Sequence, residues 1–98
     1  METERLEGIA NAKALTADDA ADILAKNSIT SFLTRYGTEL AGCRLFVGVS
    51  GDVRVTLAHM ADGEYVTLKN VQSGVWLPMF AKRLWSTGTT ATDIVGGW

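Results

Sequence analysis

The chain changes its hydrophobic rhythm near residue 28. Before that point Ala, Leu, Ile and acidic residues dominate and no aromatic residue occurs; after it come β-branched residues, aromatics and turn glycines. In the first part, Ala17, Ala20, Ala21 and Leu24 share one face at helical spacing, with Ile23 beside them. Thr16 suits an N-cap, and Asp19 stands three residues on, where it can bond back to the cap. Asp18, Asp19 and Asp22 complement the dipole of the first turns, and Lys26 follows Asp22 at ion-pair spacing. These features predict a helix over about residues 17–26. Its apolar face is mostly alanine, so a helix this short must dock on something to persist. A further turn around Leu6, Ile9 and Ala10 is weakened by Gly8.

From Arg44 onward the period is two. Leu45, Val47 and Val49 alternate with Arg44, Phe46 and Gly48, and after Ser50-Gly51-Asp52, a hairpin-turn signal, Val53, Val55 and Leu57 alternate with Arg54 and Thr56. Asp62-Gly63 marks the next turn, Tyr65 to Lys69 the next strand, and Ser73-Gly74 a turn into Val75-Trp76-Leu77. Pro78 cannot donate to a ladder and marks an edge or a break. Met79 to Trp85 and Ala91 to Val95 complete the series. The expected fold is mainly β, a small antiparallel β-sandwich or barrel (residues 28–98) with an N-terminal α-helical arm (residues 1–27).

At 98 residues the chain makes one domain, with an apolar fraction of 47% that is globular in character. A formal charge of −2 argues against a nucleic-acid partner, and no apolar run approaches a membrane span, so neither nucleic acid nor membrane is expected as a partner. Met1-Glu2-Thr3-Glu4-Arg5 lacks the layout of a signal peptide, which leads to the expectation of synthesis in a cytosolic environment. A lone Cys43 fits that expectation. Three Trp exceed what so small a core needs, and Trp is enriched at interfaces; either some face a partner or all three fill the core.

Candidate chemistry is sparse. His59 and Cys43 are the single His and Cys, and a catalytic pair between them is a remote alternative to a core cysteine and a loop histidine. No ligand pair at metal-binding spacing occurs, and Asp52 and Asp62 read as turn residues bonded to their own backbone. Thr87-Gly88-Thr89-Thr90 reads as a turn, lacking the glycines and lysine of a phosphate loop. Lys82-Arg83 reads as a solvated face, with contact to an acidic partner as the alternative. Gly96-Gly97-Trp98 is either a frayed end or a flexible tail with an aromatic anchor for a neighbour's pocket; the anchor is favoured. No catalytic, cofactor-binding or metal-binding residue is assigned.

Several segments in order carry a resemblance: Cys43 through Val53, Val66 through Val71, Gly74, Leu77-Pro78, and Thr87-Gly88-Thr89-Thr90-Ala91-Thr92-Asp93-Ile94-Val95. Over roughly residues 28–98 the chain resembles the spike-base family of tailed phages and gene transfer agents, proteins on the outside of the head. Phe80 stands where that family tends to carry a polar or basic residue, and residues 1–27 look unlike its short extended lead-in. The resemblance therefore implies a virion structural protein on the outer surface of the capsid. The added arm shifts the expectation from a vertex spike base to a head decoration, or cement, protein. Its expected partners are the phage major capsid protein and further copies of itself, a trimer before a pentamer. Leu15, Ile23 and Leu24 are then assigned to the capsid contact, and Trp76, Phe80, Trp85 and Trp98 to contacts between copies. A free cytosolic β-sandwich binding module and a small cysteine-dependent enzyme are the competing classes.

Overall fold

The computed structural model describes residues 9–33, 37 and 39–98. Among the described residues seven strands and one short helix follow in order: β1 (Ala12–Ala14), α1 (Ile23–Lys26), β2 (Arg44–Val49), β3 (Gly51–Leu57), β4 (Val66–Val71), β5 (Val75–Trp76), β6 (Ala81–Leu84) and β7 (Thr92–Gly97). They form two antiparallel sheets, one ordered β1-β7-β2-β5 and the other β4-β3-β6. The chain is mainly β, as its period-two alternation predicts.

That alternation fixes which residues face inward. Leu45 and Val47 on β2, Val53 and Val55 on β3, Leu84 on β6 and Ile94 on β7 are buried in one cluster between the sheets. At one end the sheets touch. Cys43 donates its N–H to the Ala81 carbonyl at 3.0 Å, and Ala81 returns the bond at 2.8 Å, so the start of β2 is stitched to β6. Among the described residues two polar side chains are buried, Thr56 and Asn27. Among the described residues no buried side-chain nitrogen or oxygen lacks a partner. Asn27 accepts from the Thr16 N–H at 2.7 Å and donates to the Ile23 and Thr16 carbonyls.

Ser50-Gly51-Asp52 is not a hairpin turn. β2 and β3 lie in different sheets, and the chain crosses from one to the other through Ser50 alone. The turn before β7 clamps this crossing: the Asp52 N–H donates to Thr90 Oγ1 at 2.8 Å, and the Thr90 and Ala91 N–H groups both donate to the Asp52 carbonyl. Pro78 follows edge strand β5, where the chain leaves the first sheet for the second.

The helical arm is the larger correction. Among the described residues only Ile23–Lys26 is helical, with Asp22 at the N-cap position and no side-chain cap bond. The acidic residues expected to start a helix at Thr16 are engaged elsewhere. Asp18 Oδ1 accepts from the Ala20 and Ala21 N–H groups at 2.7 and 3.0 Å, a local turn that competes with helix. Asp19 reaches a distant turn, accepting from the Ser86 and Thr87 N–H groups at 2.8 Å each and from the Thr87 hydroxyl at 2.5 Å. Asp22 takes Arg83 Nε at 2.9 Å, so Lys26 pairs with Asp18 instead. Upstream, Ala12–Ala14 is an edge strand on β7, not an appendage. The proposed turn at Leu6 to Ala10 falls largely outside the described residues.

Candidate functional site

Among the described residues the exposed aromatics lie on two outer sheet faces and beside one cavity. On the first sheet, Phe46 of β2 stands between Trp76 of β5 and Val95 of β7 in the strand register. The Phe46 and Trp76 rings lie 5.3 Å apart at 53°, and Trp76 is 39% exposed. The indole also lies over the backbone of Gly97, where a Cβ would come within 2.8 Å of it. Gly97 is therefore glycine because an aromatic ring occupies its side-chain space.

Phe80, 38% exposed, sits after β5 at the rim of an apolar cavity of about 570 Å³ that Leu40, Leu57, Ala58, His59 and Met79 also line. Trp85 lies on the outer face of the second sheet. Its indole N–H donates to Thr56 Oγ1 at 2.9 Å, while the Thr56 hydroxyl donates to the Glu64 carbonyl. Tyr65 meets the Trp85 ring edge-on at 5.2 Å.

The fourth residue assigned to contacts between copies is placed differently. Trp98 is only 7% exposed, and its ring packs edge-on against buried Phe32 at 5.3 Å. Its N–H donates to the Asn11 carbonyl, and its own carbonyl accepts from the N–H groups of Ala10 and Asn11. The expected flexible tail is the end of β7, buried in the chain's own core. Its glycines are dictated by packing: a Cβ on Gly96 would meet Cys43 Sγ at 2.9 Å.

The residues assigned to a capsid contact also belong to this core. Ile23 is 1% exposed. Leu15 and Leu24 are half-buried against the same cluster, and the Leu15 N–H bonds the Ile94 carbonyl at 2.9 Å. The structure thus leaves Ile23 no surface to offer a shell.

Cys43 is buried, as expected of a core cysteine, and burial pushes its thiol up to about 12. A thiol so protonated is a poor nucleophile near neutral pH. His59 is an exposed loop residue, and among the described residues no hydrogen bond joins it to Cys43. Among the described residues no group of three His, Cys, Asp or Glu is placed to hold a metal ion. Asp62 sits in a turn as expected and Asp52 lies in β3 instead, and the carboxylates of both reach across to other strands. Asp52 accepts from the Asn70 N–H at 3.0 Å and pairs with Lys69, while Asp62 pairs with Lys82 at 3.0 Å. The Asn70 amide holds the Asp52 carboxyl below its ordinary value, and Lys82 does the same for Asp62. Lys82 and Arg83 are therefore paired within the fold.

The chain matches no protein-family model and no curated protein sequence. What residue-by-residue reading missed is the second sheet's outer face. Arg54, Thr67 and Tyr65 pass as ordinary polar positions of alternating strands, and only the pairing of β3 with β4 brings them together.

Proposed function

We propose that this protein is a structural component of a bacteriophage virion, a decoration or cement protein on the outside of the head that binds major capsid protein subunits. One observation carries the reading: Trp76 packed at a tilt against Phe46 and over Gly97 on the outer face of a small sandwich, an aromatic anchor partly in water. Trp at such positions supplies much of the energy of protein interfaces. The resemblance of residues 28–98 to the spike-base family supplies the setting, with a vertex spike base as the nearest variant. Contacts between copies are assigned to Trp76 and Phe80; of the other two residues expected there, Trp85 is engaged with Thr56 and Tyr65, and Trp98 belongs to the core. A symmetric oligomer seated across subunit joints gains affinity through multivalency, and a trimer is expected before a pentamer. The reading involves no catalysis, cofactor or metal.

The experiment is co-sedimentation of the purified protein with phage heads assembled without it, alongside its solution mass by light scattering. Wild type is expected to bind, and Trp76→Ala to bind roughly thirtyfold more weakly, the loss of a hot spot worth about 2 kcal/mol. No binding by wild type, or equal binding by the variant, refutes the proposal. The cavity that Phe80 lines favours one second reading, a free binding module for a small ligand or apolar peptide. Its volume of about 570 Å³ lies among those of small-molecule sites. A monomer that ignores heads would move the assignment there.

A further inference from the structure

Among the described residues four cations are answered by carboxylates: Lys26, Lys69, Lys82 and Arg83 each meet an aspartate at 2.9–3.3 Å. Arg54 is different. It projects from the middle of β3 on the outer face of the second sheet, and no carboxylate among the described residues pairs with it. Its guanidinium is nonetheless fixed on three sides. Nε donates to Thr67 Oγ1 at 3.1 Å, and the guanidinium carbon lies 4.3 Å from the centre of the Tyr65 ring. Against it lies the turn at Gly88, where a Cβ would fall 2.5 Å from that carbon. Gly88 also has φ +93°, a left-handed value that glycine adopts without strain.

Among the described residues the two terminal amino groups have no hydrogen-bond partner, and no buried side-chain nitrogen is unpartnered. They therefore open to water. A planar fork, stacked, bonded at its base and open at its tip, matches a carboxylate bidentately. Its rotamer freedom is already spent, so binding loses less entropy than it would at a free arginine. Beside it, Tyr65 at 48% exposed and Trp85 offer aromatic surface, with Arg83 5.4 Å beyond Trp85. Tyr, Trp and Arg are the residue types that dominate interface hot spots.

We propose that this face is a docking surface for an Asp or Glu side chain of a partner protein, received by Arg54 and bordered by apolar atoms that cover Tyr65. Charge selects the class. Arg83 and Lys69 on the same face are neutralised by Asp22 and Asp52, which leaves one open positive charge. A single carboxylate balances it, whereas a nucleic-acid backbone would need a series of open cations and would meet Asp52. In the proposed setting the partner is the major capsid protein, and that identification alone rests on the head reading.

The test uses the intact protein. Sodium acetate, with sodium chloride as ionic-strength control, is titrated while NMR follows the Arg54 Nε–Hε resonance and the Tyr65 and Gly88 amides. A saturable, acetate-specific shift is expected, weakened about fivefold or more in Arg54→Lys, which keeps the charge and loses the fork. No saturation, an unchanged Lys variant, or inorganic phosphate binding about tenfold tighter than acetate would each overturn the carboxylate site. In the second arm, Arg54→Gln is expected to bind heads about tenfold more weakly than wild type. Equal binding overturns the docking role and leaves the head reading standing. Wild type that ignores heads overturns the head reading alone, and the acetate titration still decides the site. A lower solution mass for Arg54→Gln would give the carboxylate to a second copy and overturn the foreign partner.

Discussion

Replacing Trp98 by Ala separates a core residue from an interface anchor. The side chain is 7% exposed and stacks edge-on against Phe32. An aromatic of this kind buries on the order of 200 Å², which at about 25 cal/mol per Å² is roughly 5 kcal/mol as an upper figure. Measured truncations of buried Phe and Trp fall at about 3–5 kcal/mol, in agreement with that figure. Domains of this size hold together by about 5–15 kcal/mol, so the variant loses a large share of its stability. At about 4–8 °C per kcal/mol, its melting temperature should fall by at least ~12 °C. The assay is urea and thermal unfolding by circular dichroism, with light scattering on the still-folded protein. The expected variant melts early and keeps the wild-type oligomeric mass. A variant that unfolds within about 1 kcal/mol of wild type, yet loses self-association, would refute the burial argument and return Trp98 to a neighbour's pocket.

Deleting residues 1–27 removes β1 and the buried Ile23, so the remainder is expected to be unfolded by circular dichroism; a cooperatively folding fragment would contradict the placement of this segment in the core. Cys43, buried and with its thiol raised to about 12, should resist a thiol reagent at pH ~8 until urea unfolds the protein, and full labelling under native conditions would contradict its burial. The Thr87 hydroxyl, then the Thr87 and Ser86 amides, hold the Asp19 carboxyl below its ordinary value of 3.8. A lowered folded-state value means that its contribution is complete above about pH 4 and is lost as pH falls through the folded value. Asp19→Asn should therefore melt lower at neutral pH and show a shallower decline in acid, and an acid profile parallel to wild type would remove this latch from the account.

The sequence determined strands β2 to β7 and most of their inward residues, though not β1, which lay inside the expected helical arm, nor Val49, which alternation places inward and the structure leaves exposed. In β2 and β3, alternation alone identifies Leu45, Val47, Val53 and Val55 as core, because side chains in a strand point to opposite faces in turn. It did not determine which strand pairs with which. Alternation is the same whether Ser50-Gly51-Asp52 closes a hairpin or carries the chain between sheets, and the clamp from Thr90 that decides the matter lies 38 residues away. The first 27 residues misled for a related reason. Asp18, Asp19 and Asp22 satisfy the local rules for a helix start, and partners on β6 and the turn after it outbid those rules for Asp19 and Asp22. Gly96, Gly97 and Gly88 have the composition of loose chain, but the first two make room for Cys43 and Trp76 and the third for Arg54. Of the four aromatics expected to face a neighbouring copy, Trp76 and Phe80 are exposed, Trp85 is half-buried and Trp98 is buried. Composition reports that a chain has aromatic surplus. Only the closing of the two sheets, which brings the chain's end onto Asn11 and Phe32, decides which of them water still reaches.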